Sequence, residues 1–138
     1  MTVIRAVIAD DEAPLRLHLR SQLAKAWPEL VICAEAENGP QALAAIESQQ
    51  PDIAFLDIKM PAFSGLEVAQ KISVPCRVVF VTAFDSFAVE SFENAAVDYL
   101  FKPVSEARLR ITVERLQKHV GQTVQSPEAL QRIVSQMM

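Results

Sequence analysis

Five short apolar runs, each followed by a stretch with helical periodicity, constrain this chain more than any other feature. The runs are "VIRAVIA" (3–9), "LVICAEA" (30–36), "DIAFLD" (52–57), "RVVFVTA" (77–83) and "VDYLF" (97–101). Their length and β-branched content suit strands. Between them, residues 13–27 put Leu15, Leu19 and Leu23 on one helical face, with Pro28 beyond the end. Asn38-Gly39-Pro40 opens a second helix through Gln49, with proline early, where its missing N–H does no harm. Residues 65–72 and 86–93 give two short helices. Ser105 caps a last helix that turns Leu109, Val113, Leu116 and Val120 inward. Strict strand–helix alternation implies a parallel sheet with helices on both faces. Right-handed crossovers then favour a doubly wound sheet of order 2-1-3-4-5. The fourth run is nearly all apolar, which predicts burial on both faces.

The chain has 138 residues, enough for one domain with a sizeable core. Residues 1–120 account for that domain. Residues 121–126 read as a linker, and 127–138 as a short amphipathic helix bearing Leu130, Ile133, Val134 and Met137. That tail could pack on the domain, pack on a second copy, or lead into an output domain. No apolar run approaches the ~20 residues of a membrane helix. The N-terminus lacks a secretory layout, so a cytoplasmic location is expected. A net charge of −4 argues against non-specific nucleic-acid binding. The two cysteines, Cys33 and Cys76, have no metal-ligand spacing and read as small buried hydrophobes in a reduced compartment. His18 and His119, far apart in sequence, read as surface residues of helices.

In open α/β sheets, ligands bind outside the carboxyl ends of the strands. Strand 1 ends at Asp10-Asp11, strand 3 at Asp57 and strand 4 at Thr82-Ala83, and Lys102-Pro103 follows strand 5. Each alone has an ordinary explanation: a solvated turn, a cap, a β-propensity threonine, a surface lysine. Their joint placement does not. Three carboxylates, a hydroxyl and an ammonium meet at one end of the sheet, while Glu35 and Glu37 fall outside the set and read as solvated. Clustered carboxylates need a cation to coexist, and their hard oxygens suit Mg²⁺ or Mn²⁺. A carboxylate can accept a phosphoryl group, and positioned positive charge stabilises the equatorial oxygens in transfer.

"ADDE" (9–12), "LDIKMPAFSG" (56–65), "VTA" (81–83) and "YLFKP" (99–103), in this order and at strand ends, resemble the receiver domain of two-component response regulators. The likeness runs from about residue 3 to about 120 and implies the flavodoxin-like fold. It implies that Asp57 accepts a phosphoryl group from a histidine kinase. It also implies that Asp11 and Asp57 bind Mg²⁺ directly with the Lys59 backbone carbonyl, and that Asp10 acts mainly through water. Lys102 becomes the ion-pair partner of the acceptor, Thr82 the switch hydroxyl and Tyr99 the switch aromatic. Taken as a residue alone, Tyr99 is a half-buried strand aromatic. The segment "TAFDSFAVESFENAAVDYLFKPV" (82–104) resembles receivers attached to LytTR-type DNA-binding domains, with Phe84 where related receivers often carry tyrosine. No basic recognition element lies in these residues, so contact with DNA is expected only through an output domain outside them.

Such a chain would catalyse only its own phosphorylation and slow self-dephosphorylation. Arg108, Arg110, Arg115 and Lys118 on the last helix, opposite Glu90 and Glu93 in 86–93, could support a homodimer through the face formed by the fourth predicted helix, the fifth strand and the last helix. A solvated helix face accounts for the same charges. A haloacid-dehalogenase-like phosphatase shares an Asp, a Thr and a Lys in this order. It needs an acid two residues after its nucleophile, where Asp57 has Lys59, and a later acidic pair that is missing here. A nucleotide- or flavin-binding module would need a glycine-rich loop after strand 1, where acids stand instead. A phosphorylation-independent interaction module would have no use for the complete set of acids, threonine and lysine.

Overall fold

The computed structural model describes residues 3–83 and 97–119, together with residues 132 and 135. The elements are β1 (Arg5–Ala9), α1 (Ala13–Ala26), β2 (Val31–Ala36), α2 (Gly39–Gln49), β3 (Ile53–Leu56), α3 (Gly65–Lys71), β4 (Arg77–Thr82), β5 (Val97–Phe101) and α4 (Glu106–His119). The sheet order is β2-β1-β3-β4-β5, and every neighbouring pair is parallel. This is the doubly wound topology expected from the strand–helix alternation. The fifth strand has the expected bounds, and the other four differ from the expected ones by one or two residues. The helix expected at 86–93, the linker and most of the tail lie outside the described residues. Arg132 and Ser135 are helical, and the Gln70 side-chain amide donates to Ser135 Oγ at 3.2 Å.

Strand side chains alternate between faces, so one sheet supports two cores. Val7, Leu56, Phe80 and Tyr99 pack with Ile46 of α2 and Val68 of α3. Ile8, Phe55, Val79 and Leu100 pack on the other face with Leu19 and Leu23 of α1 and Leu109 and Val113 of α4. All four residues of β3 are buried, as befits a central parallel strand. Each such fully buried Leu, Ile or Phe contributes roughly 1.5–3 kcal/mol relative to exposure. Val31 on the edge strand β2 is exposed.

Three helices begin on a side-chain cap. Asn38 accepts from the Gln41 N–H at 2.8 Å at the start of α2. Ser64 and Glu67 form a reciprocal capping box on α3. Ser105 Oγ accepts from the Arg108 N–H at 3.2 Å, as its position before α4 predicts. Helix α1 is the exception, because its N-cap residue Glu12 makes no side-chain capping bond. The turn that carries Asp10 and Asp11 is therefore held by other means.

Candidate phosphoryl-acceptor site

Parallel strands end in step, and this brings the polar residues together. Asp10, Asp57 and Lys102 each stand one residue beyond β1, β3 and β5. Two ladder extensions fix the acids: the Asp10 N–H donates to the Ala36 carbonyl at 3.0 Å, and the Asp57 N–H to the Ala9 carbonyl at 2.9 Å. Carboxylate oxygens of Asp10, Asp11 and Asp57 all lie within 4.8 Å of one another. Asp10 and Asp57 are buried and Asp11 is exposed. The Lys102 ammonium bridges the two buried acids, 2.6 Å from Asp10 Oδ2 and 3.0 Å from Asp57 Oδ2. Lysine thus pairs with Asp10 at least as closely as with the expected acceptor. The second oxygens are also engaged: Asp10 Oδ1 accepts from the Glu12 N–H at 2.9 Å, and Asp57 Oδ1 from the Lys59 N–H at 3.3 Å.

Three carboxylates face one ammonium, so negative charge is in excess. Burial pushes the Asp57 carboxyl above its ordinary range; Lys102 opposes this, and nearby Asp10 adds to it. Burial alone lowers the ammonium of Lys102, but its contacts with Asp10 and Asp57 prevail and hold it above its usual value. Uncompensated hard oxygen donors with one accessible acid, Asp11, fit a small divalent cation such as Mg²⁺. Asp10, Asp11 and Asp57 are placed so that they could hold one. Above the carboxylates opens a depression lined by Leu15, Lys59, Met60, Pro61, Ala83 and Pro103.

The loop after Asp57 folds back on it. The Gly65 N–H donates to the Ile58 carbonyl at 2.8 Å, and a Cβ at position 65 would press into the Asp57 carbonyl. Glycine is therefore required by close backbone approach. Ala62 in the same loop takes a left-handed φ of 72°. Thr82 ends β4 beside this site, and its side chain lies outside the described residues. Tyr99 is 1% exposed, fully inward in the core and edge-on to Phe101 at 4.7 Å, rather than half-buried.

Two polar networks were not legible in the sequence. Glu35 is not merely solvated: it pairs with Arg16 at 3.4 Å and with Arg20. Arg16 also donates to the Asp10 carbonyl at 2.6 Å. Arg108 and Arg115, expected to be exposed for a partner, both bind Asp98 of their own chain, at 3.1 and 3.3 Å. Arg108 also donates to the Tyr99 carbonyl at 3.1 Å. The only signal for either network was one of position, with acids and arginines on neighbouring elements of the expected topology. His18 is exposed, as expected, and Cys76 is buried.

Comparison with known proteins agrees with this fold. The response regulator receiver domain model matches residues 6–114. An uncharacterised response regulatory protein of Vibrio cholerae is 50% identical over 135 residues, covering 95% of this chain and 51% of that protein. Transcriptional regulatory protein BtsR of Escherichia coli K12 is 41% identical over 118 residues, covering 84% of this chain and 49% of that protein. The chain thus spans about half the length of these curated relatives. The crystal structure of the response regulatory domain of protein mrkE from Klebsiella pneumoniae superposes with a TM-score of 0.76 at 29% identity, covering 87% of this chain and all of that one. Family match, sheet order and clustered acids agree, and the chain belongs to the response regulator receiver domain family.

Proposed function

We propose that this receiver domain accepts a phosphoryl group on Asp57 from a histidine kinase, in a reaction that requires Mg²⁺. The observation that carries this reading is the grip on Asp57: a buried carboxylate between the Lys102 ammonium and the Lys59 N–H, beside Asp10 and Asp11. One Asp57 oxygen attacks phosphorus, an O–P bond forms, the N–P bond to the donor imidazole breaks, and the imidazole leaves with its electron pair. Bound Mg²⁺ supplies positive charge against the phosphoryl oxygens. Asp11 and Asp57 would hold the ion with the Lys59 carbonyl, and Asp10 would act through water. Lys102 then neutralises a phosphoryl oxygen. A domain with this chemistry turns over itself alone and is no enzyme toward other substrates.

The switch assigned here runs through Thr82, drawn toward the phosphoryl group, and Tyr99, kept inward. It alters the surface of β5 and α4. A ligand shifts a population only by its differential affinity for the two states, so contacts to the new phosphoryl oxygens supply the bias. That surface supports a phosphorylation-dependent homodimer, and transcriptional control through an output domain in the cytoplasm. The Escherichia coli relative, named a transcriptional regulatory protein, favours the latter. Among the described residues no helix is long and apolar enough to cross a membrane. Sizing the chain with Mg²⁺, with and without beryllofluoride, tests the switch. A shift to dimer that Asp57→Asn abolishes is expected; an unchanged monomer with beryllofluoride bound would remove the dimer from the account.

A further inference from the structure

Helix α1 starts without a side-chain cap, yet the turn before it carries two of the three site acids. Arg16 restrains that turn at a backbone carbonyl. Its guanidinium donates to the Asp10 carbonyl at 2.6 Å and is itself fixed by Glu35 at the end of β2, with its Nε 3.4 Å from Oε1. The Arg16 side chain is 16% exposed, against 52% for Arg20, which shares Glu35. Arg16 is thus the inner, anchored member of the pair.

The Asp10 carbonyl belongs to the peptide that leads into Asp11. A peptide is planar, so fixing its C=O fixes the plane and the direction in which the Asp11 Cα departs. Asp11 needs this. Among the described residues its exposed carboxylate has no hydrogen-bond partner, so its place rests on the backbone. The other three groups of the turn are already committed: the Asp10 N–H to Ala36, Oδ1 to the Glu12 N–H and Oδ2 to Lys102.

We infer that Arg16, braced by Glu35, is a positioning residue for the metal cradle, orienting the Asp10–Asp11 peptide so that Asp11 is preset for a divalent cation. This rests on the metal-binding reading above. Outer partners of a site commonly change metal affinity 10- to 100-fold. The sign separates positioning from charge. Arg16 is a cation near an acidic site, so a purely electrostatic role predicts that removing it tightens Mg²⁺ binding. Positioning predicts the opposite.

The test is calorimetric titration of the full chain with Mg²⁺ alone, for wild type, Arg16→Gln, Arg16→Lys and Glu35→Gln, with Asp11→Asn as the site control. Thermal melting is recorded in parallel. Trp27→Phe, a core change at the far end of α1, serves as a destabilised control. The expected result is about 10-fold weaker Mg²⁺ binding in Arg16→Gln, weaker binding in Glu35→Gln, partial recovery in Arg16→Lys, and none of this in Trp27→Phe. Should Arg16→Gln fail to fold, Arg16→Lys decides: it keeps the charge and alters only the geometry, so weaker binding than wild type supports positioning and wild-type binding overturns it. Wild-type affinity or tighter in the Arg16 variants, with Asp11→Asn impaired, overturns the positioning role and leaves the metal site standing. A wild type that does not bind Mg²⁺ overturns both.

Discussion

The Lys102 ammonium lies 2.6 Å from Asp10 and so ties the end of β5 to the end of β1, across the two strands between them. Its second contact, with Asp57 at 3.0 Å, makes it the shared counter-ion of both buried acids. Lysine and a metal ion therefore compete for the same carboxylate charge.

Removing that counter-ion leaves two buried carboxylates uncompensated. Lys102→Met is expected to lower stability by about 3 kcal/mol at neutral pH without metal, measured by urea unfolding. Mg²⁺ should restore part of the loss and bind more tightly than in wild type, because its competitor is gone. Phosphoryl acceptance should nonetheless fall, since no ammonium then faces the transferred group.

Burial holds the Asp57 carboxyl above the ordinary aspartate value of 3.8. Below 3.8 both folded and unfolded chains keep the proton. As pH rises past that value, the unfolded chain loses it first, so unfolding binds fewer protons and stability falls until the folded carboxyl also ionises. Asp57→Asn lacks this loss. Without metal it is expected to melt higher than wild type at pH 7. The gap should shrink toward zero as the pH is brought below 4. Melting curves across that range check both the sign and the window.

Ala62 holds a left-handed φ of 72° in the loop between Asp57 and α3. A Cβ there costs roughly 1–2 kcal/mol. Ala62→Gly relieves that strain but adds unfolded-state freedom. The net expectation is a small stabilisation, below about 1 kcal/mol, with Mg²⁺ affinity unchanged. Ala62→Val should destabilise, since a β-branched residue tolerates this region worst.

Asp98 is 7% exposed and accepts from Arg108, Arg115 and the Tyr99 N–H. Asp98→Ala strands those donors and should cost about 2 kcal/mol, measured by denaturant unfolding. Because this network also ties α4 to the backbone of Tyr99, the variant should broaden the Tyr99 ring resonances in NMR spectra.

The parallel sheet, its order and the meeting of Asp10, Asp11, Asp57 and Lys102 at one end were legible because each follows from chain order and period. Apolar runs mark the strands, right-handed crossovers limit their order, and strand ends lie in step. The partners of Glu35 and Asp98 were not legible. An arginine reaches several ångströms from its Cα, so its acid depends on rotamers and helix rotation, which periodicity does not set. Arg108 and Arg115 show the consequence: their sequence positions suggest a charged outer face, while packing directs both onto Asp98 of β5. The depth of Tyr99 was missed for a related reason. A strand pattern gives the face of a residue, and how deeply that face is covered depends on neighbouring elements.

The central claim is that Asp57 takes the phosphoryl group. The chain is incubated with Mg²⁺ and a small acyl phosphate, reduced with borohydride, which converts an aspartyl phosphate to homoserine, and mapped by peptide mass spectrometry. The expected result is homoserine at position 57, lost on chelation of the metal and absent in Asp57→Asn. Modification at Asp10 or Asp11 in the wild type, or undiminished incorporation in Asp57→Asn, would contradict the account.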